Sequence, residues 1–105
     1  MGKDETIKQK IKQIVKEKAP RAEVYLYGSR ARGTSTPESD WDILILLISS
    51  KITDTEEKEI TYPLYDLEID TGEVISPMIY TEEEWNNKYS VTPFYHNVMR
   101  ERQQI

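Results

Sequence analysis

Two apolar stretches close together in the chain fix most of what it can fold into. Val24-Tyr25-Leu26-Tyr27 is β-branched and aromatic, and Ile43-Leu44-Ile45-Leu46-Leu47-Ile48 is an uninterrupted apolar run, so both read as strands. Between them stand Gly28-Ser29-Arg30-Ala31-Arg32-Gly33 and then Asp40-Trp41-Asp42. The segment is therefore a strand, a small phosphate-sized turn, and a second strand that opens with two carboxylates. In an extended chain, residues i and i+2 point to the same face with their Cα atoms about 6.6–7 Å apart. Asp40 and Asp42 are placed to share hard divalent cations, and Trp41 between them faces away.

The residue types suit metal-assisted chemistry on a phosphate. Mg²⁺ takes oxygen ligands in a near-octahedral shell and is usually held by one or two carboxylates plus substrate phosphates. Two such ions about 3.5–4 Å apart stabilise both the attacking and the leaving oxygen of an in-line displacement at phosphorus. Gly28, without a Cβ, lets the backbone turn sharply and approach a phosphate closely. Ser29 adds a hydroxyl and an N–H, and successive N–H groups in such a turn form an anion-binding nest. Arg30 and Arg32 each carry a guanidinium fork able to pair with phosphate oxygens, so either or both could hold a triphosphate tail.

Taken singly these features say little. Gly-Ser is a common turn dipeptide, Asp-x-Asp a common strand entry, and two loop arginines are ordinarily solvated charges. The ordered set is another matter, because two same-face carboxylates at the head of an apolar strand are costly to bury without partners. Gly28-Ser29, ten residues, and Asp40-x-Asp42 between apolar strands resembles the signature of the DNA polymerase beta-type nucleotidyltransferase superfamily, in particular its minimal nucleotidyltransferase (MNT) domains. The resemblance is strongest over residues 22–48. It implies a nucleotidyltransferase-like α/β (α+β) fold with a small mixed sheet covered by helices. It also implies that Asp40 and Asp42 bind two Mg²⁺ ions and that Gly28 and Ser29 hold the nucleotide phosphates, with Arg30 or Arg32 assisting. The activity so implied is transfer of a nucleoside monophosphate from an NTP, ATP in the first instance, to a hydroxyl acceptor with release of pyrophosphate. Minimal domains of this kind often act as antitoxins beside a separately encoded helical partner of the HEPN class.

The chain departs from that family pattern in one respect. The family usually has a third carboxylate on a later strand, and the matching stretch Val74-Ile75-Ser76-Pro77-Met78-Ile79-Tyr80 contains no acid. Glu73 at its entrance, Asp70 before it, the neutral Ser76, or a carboxylate from a partner are the candidates to complete the site. The alternative function that follows is a catalytically weak nucleotide-binding or partner-neutralising protein.

With 105 residues the chain suits one domain spanning 1–105, without a separate acceptor-binding module. A net charge of −5 argues against broad affinity for nucleic acid. No cysteine is present, so neither disulfides nor thiolate metal sites are available. No apolar stretch approaches the roughly 18 residues of a membrane span, and the charged N-terminal segment lacks a signal-peptide core, so the expected location is the cytoplasm. Met1-Gly2-Lys3-Asp4-Glu5-Thr6 formally fits an N-myristoylation pattern, but the acidic pair is untypical of a membrane anchor.

Elsewhere, Ile7, Ile11, Ile14 and Val15 mark one face of a helix over 4–18, with Asp4 as N-cap, Pro20 as stop, and lysines 3, 8, 10, 12 and 16 on a solvated face. Ser49-Ser50-Lys51 reads as a turn. A helix over 53–71 carries Ile60, Leu64 and Leu67, is kinked or restarted at Pro63, and is closed by Gly72. A third strand follows near 73–80. Thr81 with Glu84 forms a capping box for a short helix near Trp85, and Thr92-Pro93 starts another through about 102. The helices are expected on one face of the sheet. His96, the only histidine, has no second ligand nearby in sequence and reads as structural or surface.

Overall fold

The computed structural model describes residues 2–49 and 51–105. Met1 and Ser50 lie outside it, and with them the start of the myristoylation-like pattern and the middle of the Ser49-Ser50-Lys51 turn. The apolar run forms β2 (Trp41–Leu47), in which every residue but Asp42 is buried. A strand apolar on both faces belongs inside a sheet covered on both sides, and β2 has a neighbour along each edge. β1 (Glu23–Tyr27) pairs with it antiparallel, setting Tyr25 opposite Leu44 and Tyr27 opposite Asp42. β3 (Ile75–Thr81) pairs with it parallel, setting Trp41 opposite Ile75 and Asp42 opposite Ser76. A two-residue strand, β4 (Gln103–Gln104), adds to the free edge of β1, giving the order β3-β2-β1-β4.

The pleat sorts side chains onto two faces. Val24, Leu26, Trp41, Ile43, Ile45 and Leu47 pack with Ile7, Ile11 and Val15 of α1 (Lys3–Lys18) and with Ile60, Leu64 and Leu67 of α3 (Asp54–Thr71). Tyr25, Leu44 and Leu46 pack on the opposite face with Trp85 of α4 (Glu82–Asn87) and Val98 of α5 (Pro93–Glu101). The helices thus cover both faces, where one was expected. The second layer buries Trp85 and Val98 with Tyr89, Tyr95 and Met99 packed against them, and no local spacing says which face of the sheet such helices will cover.

Several boundaries follow the capping logic. Thr81 accepts from the Glu84 N–H at 3.0 Å and Thr92 from the Tyr95 N–H at 3.1 Å, each relieving an unpaired donor of a first turn. Gly72, at φ +74, closes α3 with its N–H on the Glu68 carbonyl. The chain enters α1 through Gly2, with no side-chain cap, so Asp4 lies inside the helix rather than at its N-cap. α3 runs through Pro63 without a restart; burial of Ile60, Thr61, Leu64 and Leu67 on both sides of the proline outweighs the lost hydrogen bond. The turn after β1 contains a four-residue helix, α2 (Ser29–Arg32), which carries no apolar period of its own.

Candidate active site

Gly28 leaves β1 with φ +76, a region L side chains rarely enter. Its hydrogen side faces Asp42: a Cβ built there would run into the carboxylate, with the carboxylate carbon 3.2 Å away. The antiparallel pairing of Tyr27 with Asp42 produces this approach, since it carries the turn directly over the mouth of β2. The Gly28 carbonyl accepts from the N–H groups of Ala31 and Arg32, both at 3.0 Å, and holds the turn in shape. A cleft of about 590 Å³ opens here, bounded by Tyr27, Gly28, Ser29, Arg32 and Asp42 on the sheet side and by α5 on the other.

The structure separates the two arginines. Arg32 is half exposed in the cleft. Arg30 points through to the other face of the sheet, where it donates to the Ser39 carbonyl at 2.9 Å, lies 4.2 Å over the Trp41 ring, and pairs with Glu73 and Asp4 at 3.5 and 3.6 Å. Of the alternatives left open for the phosphate contact, the geometry favours Arg32 and gives Arg30 to the scaffold.

The candidates for a third carboxylate separate in the same way. Glu73, 9% exposed, sits on the Trp41 face, accepting from the indole N–H at 3.2 Å and pairing with Lys3 at 2.9 Å. Lys3 is therefore engaged rather than simply solvated. These contacts, the Lys3 hydrogen bond foremost, hold the Glu73 carboxyl below its ordinary range. Asp70 is exposed on α3. Ser76 is the residue placed beside Asp42, as its direct partner in the parallel ladder.

Asp42 is half-buried and Asp40 exposed at the strand entrance. Burial pushes the Asp42 carboxyl above its ordinary range, the charges of Asp40 and Glu101 push it further, and Arg32 pulls it back. Tyr27, beside it, has its phenol raised to about 12, by burial first and then by the Asp42 charge. Such an excess of negative charge in a partly dry setting is what a dication relieves. Among the described residues no three His, Cys, Asp or Glu side chains form a ready cage. Asp42 in the open cleft, with Asp40 exposed beside it at the strand entrance, nevertheless offers the carboxylate oxygens that suit Mg²⁺, which completes its shell with water and phosphate.

Glu101 at the end of α5 escaped the sequence reading. One carboxylate oxygen accepts from the Gly28 N–H at 3.0 Å and the other pairs with Arg32 at 2.9 Å. Glu101 lies more than seventy residues from Gly28 in sequence, and the packing of α5 through Val98 together with the pairing of β4 with β1 brings it in. No spacing rule could have found it.

A family model described as nucleotidyltransferase domain matches residues 8–95. Among solved structures, the chain is similar to the crystal structure of a toxin–antitoxin with AMP-PNP, with a TM-score of 0.63 and 17% identity over 91% of this chain and 69% of that one. The likeness shows a shared fold. No curated protein sequence matches.

Proposed function

We propose, from the premise that this chain belongs to the nucleotidyltransferase domain family, that residues 1–105 act as one minimal unit that transfers the nucleoside monophosphate of an NTP, ATP first, to a hydroxyl acceptor and releases pyrophosphate. The observation that carries this reading is the close approach of the Gly28 turn to Asp42, which sets anion-holding groups against a metal-holding carboxylate. Mg²⁺ held by Asp40 and Asp42 would supply charge neutralisation at the attacking and leaving oxygens. The remaining work belongs to the chain itself. Gly28 lets the backbone reach the phosphates and offers its N–H. Ser29 adds a hydroxyl and a second N–H, and Arg32 pairs with a phosphate oxygen. Tyr27 and Phe94, edge to face at 5.7 Å, line one side of the cleft with aromatic surface.

The similar structure is a toxin–antitoxin with AMP-PNP, which supports ATP as the nucleotide and a partner protein, and we place the acceptor hydroxyl on that partner. We assign the chain to the antitoxin side of a cytoplasmic pair, with a helical HEPN-type partner. A specific observation favours a second reading, a nucleotide-binding and partner-neutralising protein with weak turnover: the position beside Asp42 on β3 is Ser76, a neutral residue.

Calorimetric titration with Mg·ATP tests the site. The wild type should bind only with metal present, and the double substitution Asp40→Asn with Asp42→Asn should bind none while keeping its circular dichroism. Equal binding by the double variant would overturn the assignment. Radiolabel from α-labelled ATP on a co-purified partner would support transfer; binding without labelling would favour the second reading.

A further inference from the structure

Glu101 occupies the groups that the proposed reading gives to a phosphate. Its two oxygens, 3.0 Å from the Gly28 nitrogen and 2.9 Å from an Arg32 nitrogen, bridge a backbone donor and a guanidinium as two oxygens of one phosphate would. We propose that the Glu101 carboxylate is an internal anion that holds the phosphate turn closed in the empty protein, so that an incoming triphosphate must displace it.

The surrounding structure fits a displaceable group on a fixed base. The backbone below it is pinned: Val98 is buried, Gln103 donates to the Ala31 carbonyl at 2.8 Å, the β4 residues pair with Tyr25 and Leu26, and the Ile105 N–H reaches the Val24 carbonyl at 3.0 Å. The Arg102 guanidinium lies 4.5 Å over the Tyr25 ring and adds to that hold. The carboxylate itself remains 21% exposed and Arg32 50%, so a rotation about the Glu101 side-chain bonds frees both partners without unfolding α5. The anion also lies on the sheet face that carries Asp42, so it adds negative charge where the metal-holding carboxylates already stand. A polyphosphate arriving with Mg²⁺ brings its own compensation for that charge, whereas Glu101 brings none.

The proposal rests on the nucleotide reading, and two probes separate them. Mg·ATP and inorganic tripolyphosphate are titrated into the wild type, Glu101→Gln and Glu101→Asp, with each fold checked by circular dichroism and thermal unfolding. Gln removes the competing charge, and Asp keeps the charge but draws it back from Gly28 by one methylene. Both variants should bind both probes about two- to tenfold more tightly, the range expected when a partly exposed ion pair no longer has to be broken. Unchanged or weaker binding in both variants would overturn the closure and leave the nucleotide reading standing. Tightening in Gln alone, with Asp at the wild-type level, would make it a general charge effect and overturn occupancy of the turn. Tighter tripolyphosphate binding with no Mg·ATP binding by any of the three proteins would sink the nucleotide reading and keep the internal anion. Failure of both probes on all three would sink both.

Discussion

At the scale of single residues, Gly28 and the two arginines carry the sharpest consequences. Gly28→Val places a β-branched residue at φ +76 and drives its Cβ into the Asp42 carboxylate, so it should weaken Mg·ATP binding more than Arg32→Ala does. Arg32→Ala removes one charge-assisted contact, about 1.5–3 kcal/mol at most. Titration of both variants ranks them, and the reverse order would mean that the turn does not hold phosphate. The arginines should divide by assay as they divide by sheet face. Arg30→Ala leaves the nearly buried Glu73 short of a partner and uncovers the Trp41 ring, and should cost about 1–3 kcal/mol in urea unfolding. Arg32→Ala loses only the partly exposed pair with Glu101 and should cost no more than about 1 kcal/mol in the same measurement. Equal destabilisation by the two would refute the division of roles.

Between elements, the decisive contact is the parallel ladder that sets Ser76 of β3 beside Asp42 of β2. Ser76→Asp adds a third carboxylate there. Thermal melts should show a lower midpoint without metal, from repulsion of Asp42, and a larger upward shift on adding Mg²⁺. An unchanged Mg²⁺ response would place residue 76 outside the metal's reach. Glu73→Gln should lower stability and leave Mg·ATP binding as it is, because Glu73 serves the Trp41 face. The main strands, the long helices and the motif that forms the turn were legible in the sequence because each rests on local spacing: the apolar run of β2, the period of α1, the caps at Thr81, Thr92 and Gly72. What was not legible depends on pairing across distance. The four-residue α2, the two-residue β4 and the Glu101 contact have too few residues to leave a period, and the sheet face that α4 and α5 cover is set by packing rather than by spacing. Arg30 and Arg32 look alike in a loop until α2 turns them to opposite sides.

The molecule as a whole should show two opposed acid responses. Lys3 first, with Trp41 and Arg30, holds the Glu73 carboxyl below its ordinary 4.5, and Arg32 with the Gly28 N–H does the same for Glu101. Lowered folded values mean that their stabilisation is complete above about pH 4.5 and is lost as the pH falls through them. Asp42 is the opposite case: raised above 3.8, its charge opposes folding at neutral pH, and that penalty disappears as the carboxyl protonates. Urea midpoints should therefore fall below pH 4.5 in the wild type and fall less steeply in Glu73→Gln, and Asp42→Asn should raise the midpoint at pH 7. A Glu73→Gln profile parallel to wild type would contradict the assignment of that acid limb. The two-sided sheet has a last consequence, which concerns lengthening the chain. Trp41 and Asp42 are neighbours along the backbone yet belong to opposite sides of the molecule. A residue added at 34–35, ahead of the Thr36–Ser39 turn and the Ser39 carbonyl that holds Arg30, is absorbed by a longer bend. A residue added between Trp41 and Asp42 would shift one part of β2 against the other, turning an aspartate toward the α1–α3 core or a tryptophan into the cleft. The spacing inside Asp40-Trp41-Asp42 is a reading frame, and the loop before it is free to grow.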